Sequence, residues 1–243
     1  MKILTFIISL FIYSQSFASE QVFDLGNRQY MNENYSAAIS LYDSILSSGL
    51  ESSELHYNLG NCYYKTKDWA SAIWHYEKSL QLKNNTQTIN NLELTRLNII
   101  DRIQPIPKLF YQKWWNNFVR LLSTKTWQIL TIIWIWIILI VSLINIFINF
   151  KASYLKFIFF PLTIFLVIIS SSSIRINDIN NEAIIFASVV SVNSAPTESS
   201  TNLFALHSGT KIELIDQIES WVNIKITDGR TGWIEKNKCK IIK

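Results

Sequence analysis

Two long charge-free segments separated by a short basic turn restrict what this chain can fold into more than any other feature. From Thr126 to Phe150 there is no charged residue, and most positions are Ile, Leu, Val, Phe or Trp. A turn from Lys151 to Lys156 follows, then a second charge-free stretch from Phe157 to Ile174. A helix needs roughly 20 apolar residues to cross about 30 Å of hydrocarbon. The segments therefore read as a transmembrane hairpin with helices at 126–150 and 155–174. A buried hairpin in a soluble core would need a polar face, and the first segment has none. Two spans joined by so short a turn return the chain to the side it left, so everything before Thr126 and after Ile174 faces one compartment.

Residues 1–18 read as a signal peptide. Lys2 supplies the positive start, Ile3 to Tyr13 the apolar stretch, and Ser16-Phe17-Ala18 a small-x-small cleavage site; the alternative is an uncleaved anchor. The flanking charges point the other way. Lys108, Lys113, Arg120, Lys125 and Arg175 outnumber Lys151 and Lys156 in the turn, which by the positive-inside tendency favours cytoplasmic ends. The signal acts first during insertion, so the expectation is a membrane protein of two spans with both soluble domains outside the cytoplasm. With 49% hydrophobic residues the chain is too apolar for disorder, and a net charge of +4 with no basic run gives no footing for nucleic acid.

Residues 19–103 contain an internal repeat. Leu25-Gly26-Asn27 recurs as Leu59-Gly60-Asn61, Tyr30 as Tyr64, Ala38-Ile39 as Ala72-Ile73, Tyr42 as Tyr76 and Leu46 as Leu80, always 34 residues on. That period is the one of tetratricopeptide repeats, two antiparallel helices per unit. Gly26 and Gly60 allow close approach, Ala38 and Ala72 fill the tight crossing, and Gly49 suits the end of the first hairpin. A third helical segment, Thr88 to Ile103, with Leu92, Leu97 and Ile100 near helical spacing, is expected to cap the stack until Pro105 and Pro107 stop it. Two repeats and a cap form a short solenoid that needs help to bury its apolar faces, from a partner, a second copy or the membrane.

In such units the first helix lines a concave groove, which points to Phe23, Asn27, Tyr30, Tyr57, Asn58, Asn61 and Tyr64 as a candidate peptide-binding set. Asparagine amides hold extended peptide backbone, and tyrosines give broad amphipathic contact. Packing between helices is the competing reading of the same residues. A carboxylate clamp fits poorly, because Phe23 stands where a basic residue is wanted. Residues 104–125 mix Trp114, Trp115 and Phe118 with Lys113 and Arg120, as expected of a linker at the lipid headgroup level or a collar of the first span.

After Ile174 the apolar period becomes two. Ile184 to Val192, Lys211 to Ile215, and Val222, Ile224 and Ile226 read as strands, with a hairpin turn at Asp228-Gly229. Residues 183–243 are expected to form a small all-β barrel. The ordered set Val192 to Pro196, Leu206 to Lys211, Trp221-Val222, Asp228-Gly229-Arg230 and Gly232-Trp233-Ile234 resembles the bacterial Src-homology-3-like family. The resemblance implies recognition of cell-wall peptides or other proteins, with Trp221 and Trp233 as groove residues; at least one of the two is expected in the core.

No catalytic constellation stands out. Cys62 and Cys239 lie in different domains without metal or disulfide spacing, and Cys62 reads as a buried apolar residue. His56, His75 and His207 are scattered, and His75 has no carboxylate or cysteine at ligand spacing. The six glycines form no phosphate loop. No enzyme, metal or cofactor is expected.

The order of signal peptide, tetratricopeptide repeats, membrane hairpin and small β-barrel resembles the BatE family of the Bacteroides aerotolerance (Bat) operon. The matching residues are Tyr57-Asn58-Leu59-Gly60-Asn61 with Tyr64-Lys65, Ala72-Ile73 with Tyr76-Glu77, Asn91-Leu92-Glu93-Leu94, and the run from Leu206 to Trp233. The resemblance implies a scaffold of the bacterial inner membrane, with two spans and both soluble domains in the periplasm, that acts with von Willebrand A-type membrane partners and a MoxR-type ATPase in stress or oxygen tolerance. A different class of function is a cell-wall sensor whose β-barrel binds peptidoglycan.

Overall fold

The structure, a computed structural model, describes residues 19–103, 107, 109–148, 155–177 and 181–242. The expected signal peptide at 1–18, Pro105 and the start of the basic turn at Lys151 lie outside the described residues. The chain forms two compact units: Met1–Ile106 together with Asn180–Lys243, and Pro107–Ile179.

Among the described residues the first unit begins with five helices: α1 over residues 19–31, α2 (Tyr35–Ser47), α3 (Ser53–Lys65), α4 (Trp69–Leu82) and α5 (Thr86–Arg96). Local signals set their ends. Side chains of Ser52, Asp68 and Asn85 accept from the backbone N–H groups of Leu55, Ser71 and Gln87, satisfying helix-start donors that would otherwise lack partners. Gly49 follows α2 at φ +82°, a left-handed conformation that glycine adopts without a Cβ clash. The tight turns within the two hairpins place equivalent residues, Glu33 and Lys67, at φ 62° and 63°.

Each hairpin is closed by the same contact. A Cβ on Gly26 would lie 2.5 Å from the Tyr42 ring, and one on Gly60 2.6 Å from the Tyr76 ring. The glycines thus admit an aromatic ring onto the first helix, a refinement of the expected close helix approach. The hydroxyls then reach the next residue: Tyr42 donates to Asn27 Oδ1 at 2.7 Å, and Tyr76 to Asn61 Oδ1 at 2.8 Å. Ala38 and Ala72 are fully buried beside them, as the repeat pattern required.

A seven-stranded antiparallel sheet follows, built from β1 (Glu182–Ile185), β2 (Val189–Asn193), β3 (Asn202–His207), β4 (Lys211–Ile218), β5 (Trp221–Lys225), β6 (Thr231–Glu235) and β7 (Cys239–Ile241). Its strand order is β3-β2-β6-β5-β4-β1-β7. All seven strands contribute to one core, from Ala183 and Ile185 through Val192, Leu206, Ile212, Val222, Ile224 and Ile234 to Cys239. A flat sheet cannot set seven strands around a single core, so this one curls on itself. The single strand expected from Ile184 to Val192 is two, broken at 186–188: Phe186 donates to the Lys238 carbonyl in register with the β1–β7 pairing, and Ala187 then donates to that same carbonyl, which ends the ladder. Gly229 takes φ +91° in the anticipated hairpin turn. Neither tryptophan joins the core: Trp221 and Trp233 alternate with the buried Val222, Ile224 and Ile234 and stand on the outward face, which corrects the expectation that one would be core.

The sheet docks on the repeats. Along β1, Ala183 and Ile185 point into the sheet's own core while Ile184 points the other way, joining Ile242, Ala70, Ile73 and Tyr76 in a second cluster. On α4, Trp74 Nε1 donates to the Ile241 carbonyl at 3.0 Å and Gln81 Nε2 to that of Ile242 at 3.1 Å, so side chains satisfy a strand edge. Glu77, also on α4, is buried between Arg96 and Lys211, and Lys211 reaches Glu182 at 2.7 Å. The Asp101 carboxylate accepts from His207 N at 2.6 Å, His207 Nδ1 at 2.8 Å and Thr210 Oγ1 at 2.7 Å. Ile99 fits against Gly209, where a Cβ would come within 2.6 Å of it. These contacts explain why α5 stops at Arg96, well before the prolines. The following residues leave helical geometry to serve the sheet; Leu92 is buried as expected, but Leu97 and Ile100 are exposed and Ile99 packs instead.

The second unit holds α6 (Phe110–Val119), α7 (Thr124–Ile148) and α8 (Leu155–Asn177), the last carrying Pro161 in its interior. Two stretches, Thr124–Ile144 and Phe159–Ile176, are long and apolar enough to cross a membrane, and only 11% of each is buried, unlike a core helix of a soluble protein. The pair is pinned at two levels, by the Thr124 and Ser173 hydroxyls at 3.0 Å and by Trp134 Nε1 donating to Thr163 Oγ1 at 3.2 Å. α6 folds back onto them: Trp127 Nε1 donates to the Val119 carbonyl, and Trp115 and Phe118 pack on Phe165. Its Phe110 and Trp114 stay exposed.

Two outcomes follow. Gly60→Ala should lower thermal stability of the detergent-solubilised chain, by about 1–3 kcal/mol, because the Tyr76 ring occupies the Cβ position; in a Tyr76→Leu background the same change should cost far less. A chain in which a Gly/Ser linker of about 15 residues replaces residues 104–180 should be a soluble monomer with one calorimetric transition, since repeats and sheet share a core. Two independent transitions would contradict the shared core.

Candidate peptide-binding groove

The first helices of the hairpins, α1 and α3, with α5 beside them, carry the candidate residues. The sheet covers α4, a second helix, so the opposite face formed by first helices is left uncovered by it. On that face an amide ladder runs between helices. Asn58 Nδ2 donates to Asn27 Oδ1 at 2.9 Å, and Asn91 Nδ2 donates to Asn61 Oδ1 at 2.9 Å and to Tyr57 Oη at 3.3 Å. Each repeat asparagine thus accepts two hydrogen bonds at Oδ1, one from its own tyrosine and one from the next helix. Burial pushes Tyr42 and Tyr76 well above the ordinary phenol range, so both hydroxyls stay protonated donors.

The ladder uses only the oxygens of Asn27 and Asn61. Among the described residues neither Nδ2 group has a hydrogen-bond partner, and each asparagine is only half-buried. Their geometry is fixed by four tethers, while their donors stay open. A concavity of about 160 Å³ lies beside Asn61, lined by Tyr30, Tyr64, Lys65, Tyr76, Asn91 and Leu94. Tyr30 leans edge-on against Tyr35 at 5.5 Å and Tyr64 against Trp69 at 5.4 Å, equivalent pairs in the two repeats.

Asn27 meets Asn58, Asn61 meets Tyr57 through Asn91, and Tyr30, Asn61 and Tyr64 share one concavity. Phe23 stands apart, tilted on the Tyr42 ring at 5.7 Å beside a separate depression with Leu50 and Leu55. Lys65, Asn91 and Leu94 are additions that the repeat alignment did not supply, although Asn91 lies one period after Tyr57. On the sheet, Trp221 borders an outward cleft with Glu198, Ser220 and Glu235, and Trp233 does not line it.

Two of the three histidines, expected to be scattered, meet. His56 Nδ1 and His75 Nδ1 face each other at 2.9 Å, both buried, and His56 Nε2 meets Glu51 Oε1 at 2.9 Å. The absence of any sequence spacing between them hid a contact made across two helices. Among the described residues no three His, Cys, Asp or Glu side chains converge as metal ligands. Cys62 is buried, and burial pushes its thiol up to about 12.

A family profile described as the tetratricopeptide repeat matches residues 53–86, the span of α3 and α4. A search of curated proteins returns no match. With the equivalent hairpin of α1 and α2 alongside, the N-terminal region carries helical repeats of the tetratricopeptide type.

Proposed function

We propose that this chain is a non-enzymatic, membrane-anchored scaffold that captures an extended protein segment in the groove of its repeats. The observation that carries the reading is the pair of oriented but unpartnered amide donors on Asn27 and Asn61, flanked by Tyr30 and Tyr64. Two Nδ2 groups held by four tethers are preorganised to donate to the carbonyls of a bound backbone, at little entropic cost on binding. Lys65 at the same concavity favours a segment carrying a carboxylate.

Anchoring is by α7 and α8 in the bilayer of the inner membrane. Repeats before the hairpin touch the sheet after it, so both ends lie on one side of any membrane that the hairpin crosses, and two crossings meet that condition. The apparent signal peptide favours the periplasmic side. In this reading the sheet is the Src-homology-3-like domain of a BatE-type protein, and the partners are von Willebrand A-type membrane proteins of a Bat-type complex linked to stress or oxygen tolerance. One observation favours a second role: the outward cleft at Trp221, where Glu198 and Glu235 outnumber Lys236, suits a peptide that carries a cationic group, such as a cell-wall stem. Retention on purified sacculi that Trp221→Ala abolishes would establish that role.

Asn27→Asp with Asn61→Asp keeps both Oδ acceptors for the tyrosines while removing both donors. Photo-crosslinking from position 65 or 94 in cells should yield a protein adduct in the wild type and lose it at least about tenfold in the double variant, the equivalent of 1.4 kcal/mol. Equal adducts from position 47 on α2, outside the groove, or an undiminished adduct in the double variant, would refute groove capture. Alkaline phosphatase fused after Ile103 or after Lys243 should be active at both sites. Inactivity at both would place the soluble unit in the cytoplasm.

A further inference from the structure

Behind the groove, the two buried histidines sit where the repeats meet the sheet. The Nδ1–Nδ1 separation of 2.9 Å requires one N–H and one lone pair. The Glu51 carboxylate at His56 Nε2 is an acceptor, so His56 carries its proton on Nε2 and accepts at Nδ1 from His75 Nδ1–H. The pair tolerates one added proton, with His56 charged and donating to His75. A second added proton would aim two N–H groups at each other across 2.9 Å, and the contact must break.

Trp74 links this pair to the docked sheet. Its ring lies edge-on to His75 at 4.8 Å and to His56 at 5.9 Å, its indole N–H holds the Ile241 carbonyl on β7, and the Lys240 ammonium of β7 sits 3.6 Å above it. The charged and titratable groups around the pair come from every neighbouring element. They are Glu51 before α3, Tyr63 stacked on His75 from α3, Lys78 on α4, Lys240 on β7, and Asp43 on α2, which acts on Lys240 and Tyr63. Lys78 already pairs with Glu51 at 3.0 Å, so the carboxylate that holds His56 is shared before the histidines take up charge.

We propose that the His56–His75 pair is a proton-operated catch: protonating both rings breaks their contact, displaces Trp74 from Ile241, and releases β7 from α4. The periodicity of the repeat does not call for this pair, since position 22, one period before His56, is Val and position 41, one period before His75, is Leu.

Burial lowers the pKa of His56 and takes that of His75 well below the ordinary value. The undocked chain therefore binds protons that the docked state refuses. Docking is strongest above about pH 6.5, the ordinary histidine pKa, and weakens as pH falls through that value toward the lower docked-state values.

The test uses the full chain in detergent micelles, with nitrogen-15 histidine spectra and amide hydrogen exchange of α4 and β7, corrected for intrinsic rates. At pH 7.5 the spectra should show His56 protonated on Nε2 and His75 on Nδ1. Between pH 7.5 and 5.5, exchange of residues 69–82 and 239–241 should accelerate about tenfold or more, one decade per net proton per pH unit. His75→Gln, which cannot take up a proton, should cut the acceleration by up to about tenfold, the share of one histidine; if it does not fold, His56→Gln should do the same. Unchanged protection in the wild type while the rings titrate, or equal acceleration in the folded variant, would overturn the catch.

Discussion

A tyrosine ring laid on a glycine is the contact on which the soluble unit depends. Gly26 and Gly60 have no Cβ, so the rings of Tyr42 and Tyr76 approach α1 and α3 to within what would be clash distance for any other residue. That approach delivers each hydroxyl to the asparagine following the glycine. Helix packing and the orientation of the asparagine amides are thereby one arrangement. The ring closes the hairpin, and its hydroxyl orients an amide whose nitrogen faces outward. Changing the asparagine to alanine would strip the buried tyrosine hydroxyl of its acceptor, at about 1–3 kcal/mol, and so would confuse binding with folding. The aspartate variant separates them.

The docked sheet solves the problem that two repeats pose. A solenoid buries apolar surface only by stacking units, and the described residues before the apolar hairpin supply two helical hairpins and the further helix α5. Here strands β1 and β7 take the place of a further unit, presenting Ile184 and Ile242 to Ile73 and Tyr76. Because β1 is buried on both faces, every residue from Ala183 to Ile185 is inaccessible. The polar frame around this cluster, Glu77 with Arg96 and Lys211 and Asp101 with His207 and Thr210, is nearly saturated with hydrogen bonds, as buried charges require.

Periodicity made the repeats legible. Matches 34 residues apart locate Gly, Ala and Tyr at positions where size alone decides the fit, and the same 34-residue shift relates Tyr30 with Tyr35 to Tyr64 with Trp69. The apolar helices were legible because composition over 20 residues suffices. Contacts between distant segments left no such trace. Trp74 and Ile241 are 167 residues apart, and Asp101 and His207 106, with no pattern to connect them. The end of α5 departs from the helical spacing for the same reason: Ile99 and Asp101 answer to the sheet, while Leu97 and Ile100 stay exposed. The amide ladder was half visible, since repeated asparagines pointed to a shared role but not to the tyrosine hydroxyls that fix them.

The central claim is that the repeats and the sheet are one cooperative structure joined through α4 and β1. A double-mutant cycle across that joint, Ile73→Ala with Ile184→Ala, measured by denaturant unfolding of the solubilised chain, tests it most directly. Packed neighbours should show a coupling of about 0.5–3 kcal/mol. Additive effects, within about 0.3 kcal/mol, would mean that the two domains fold without regard to each other.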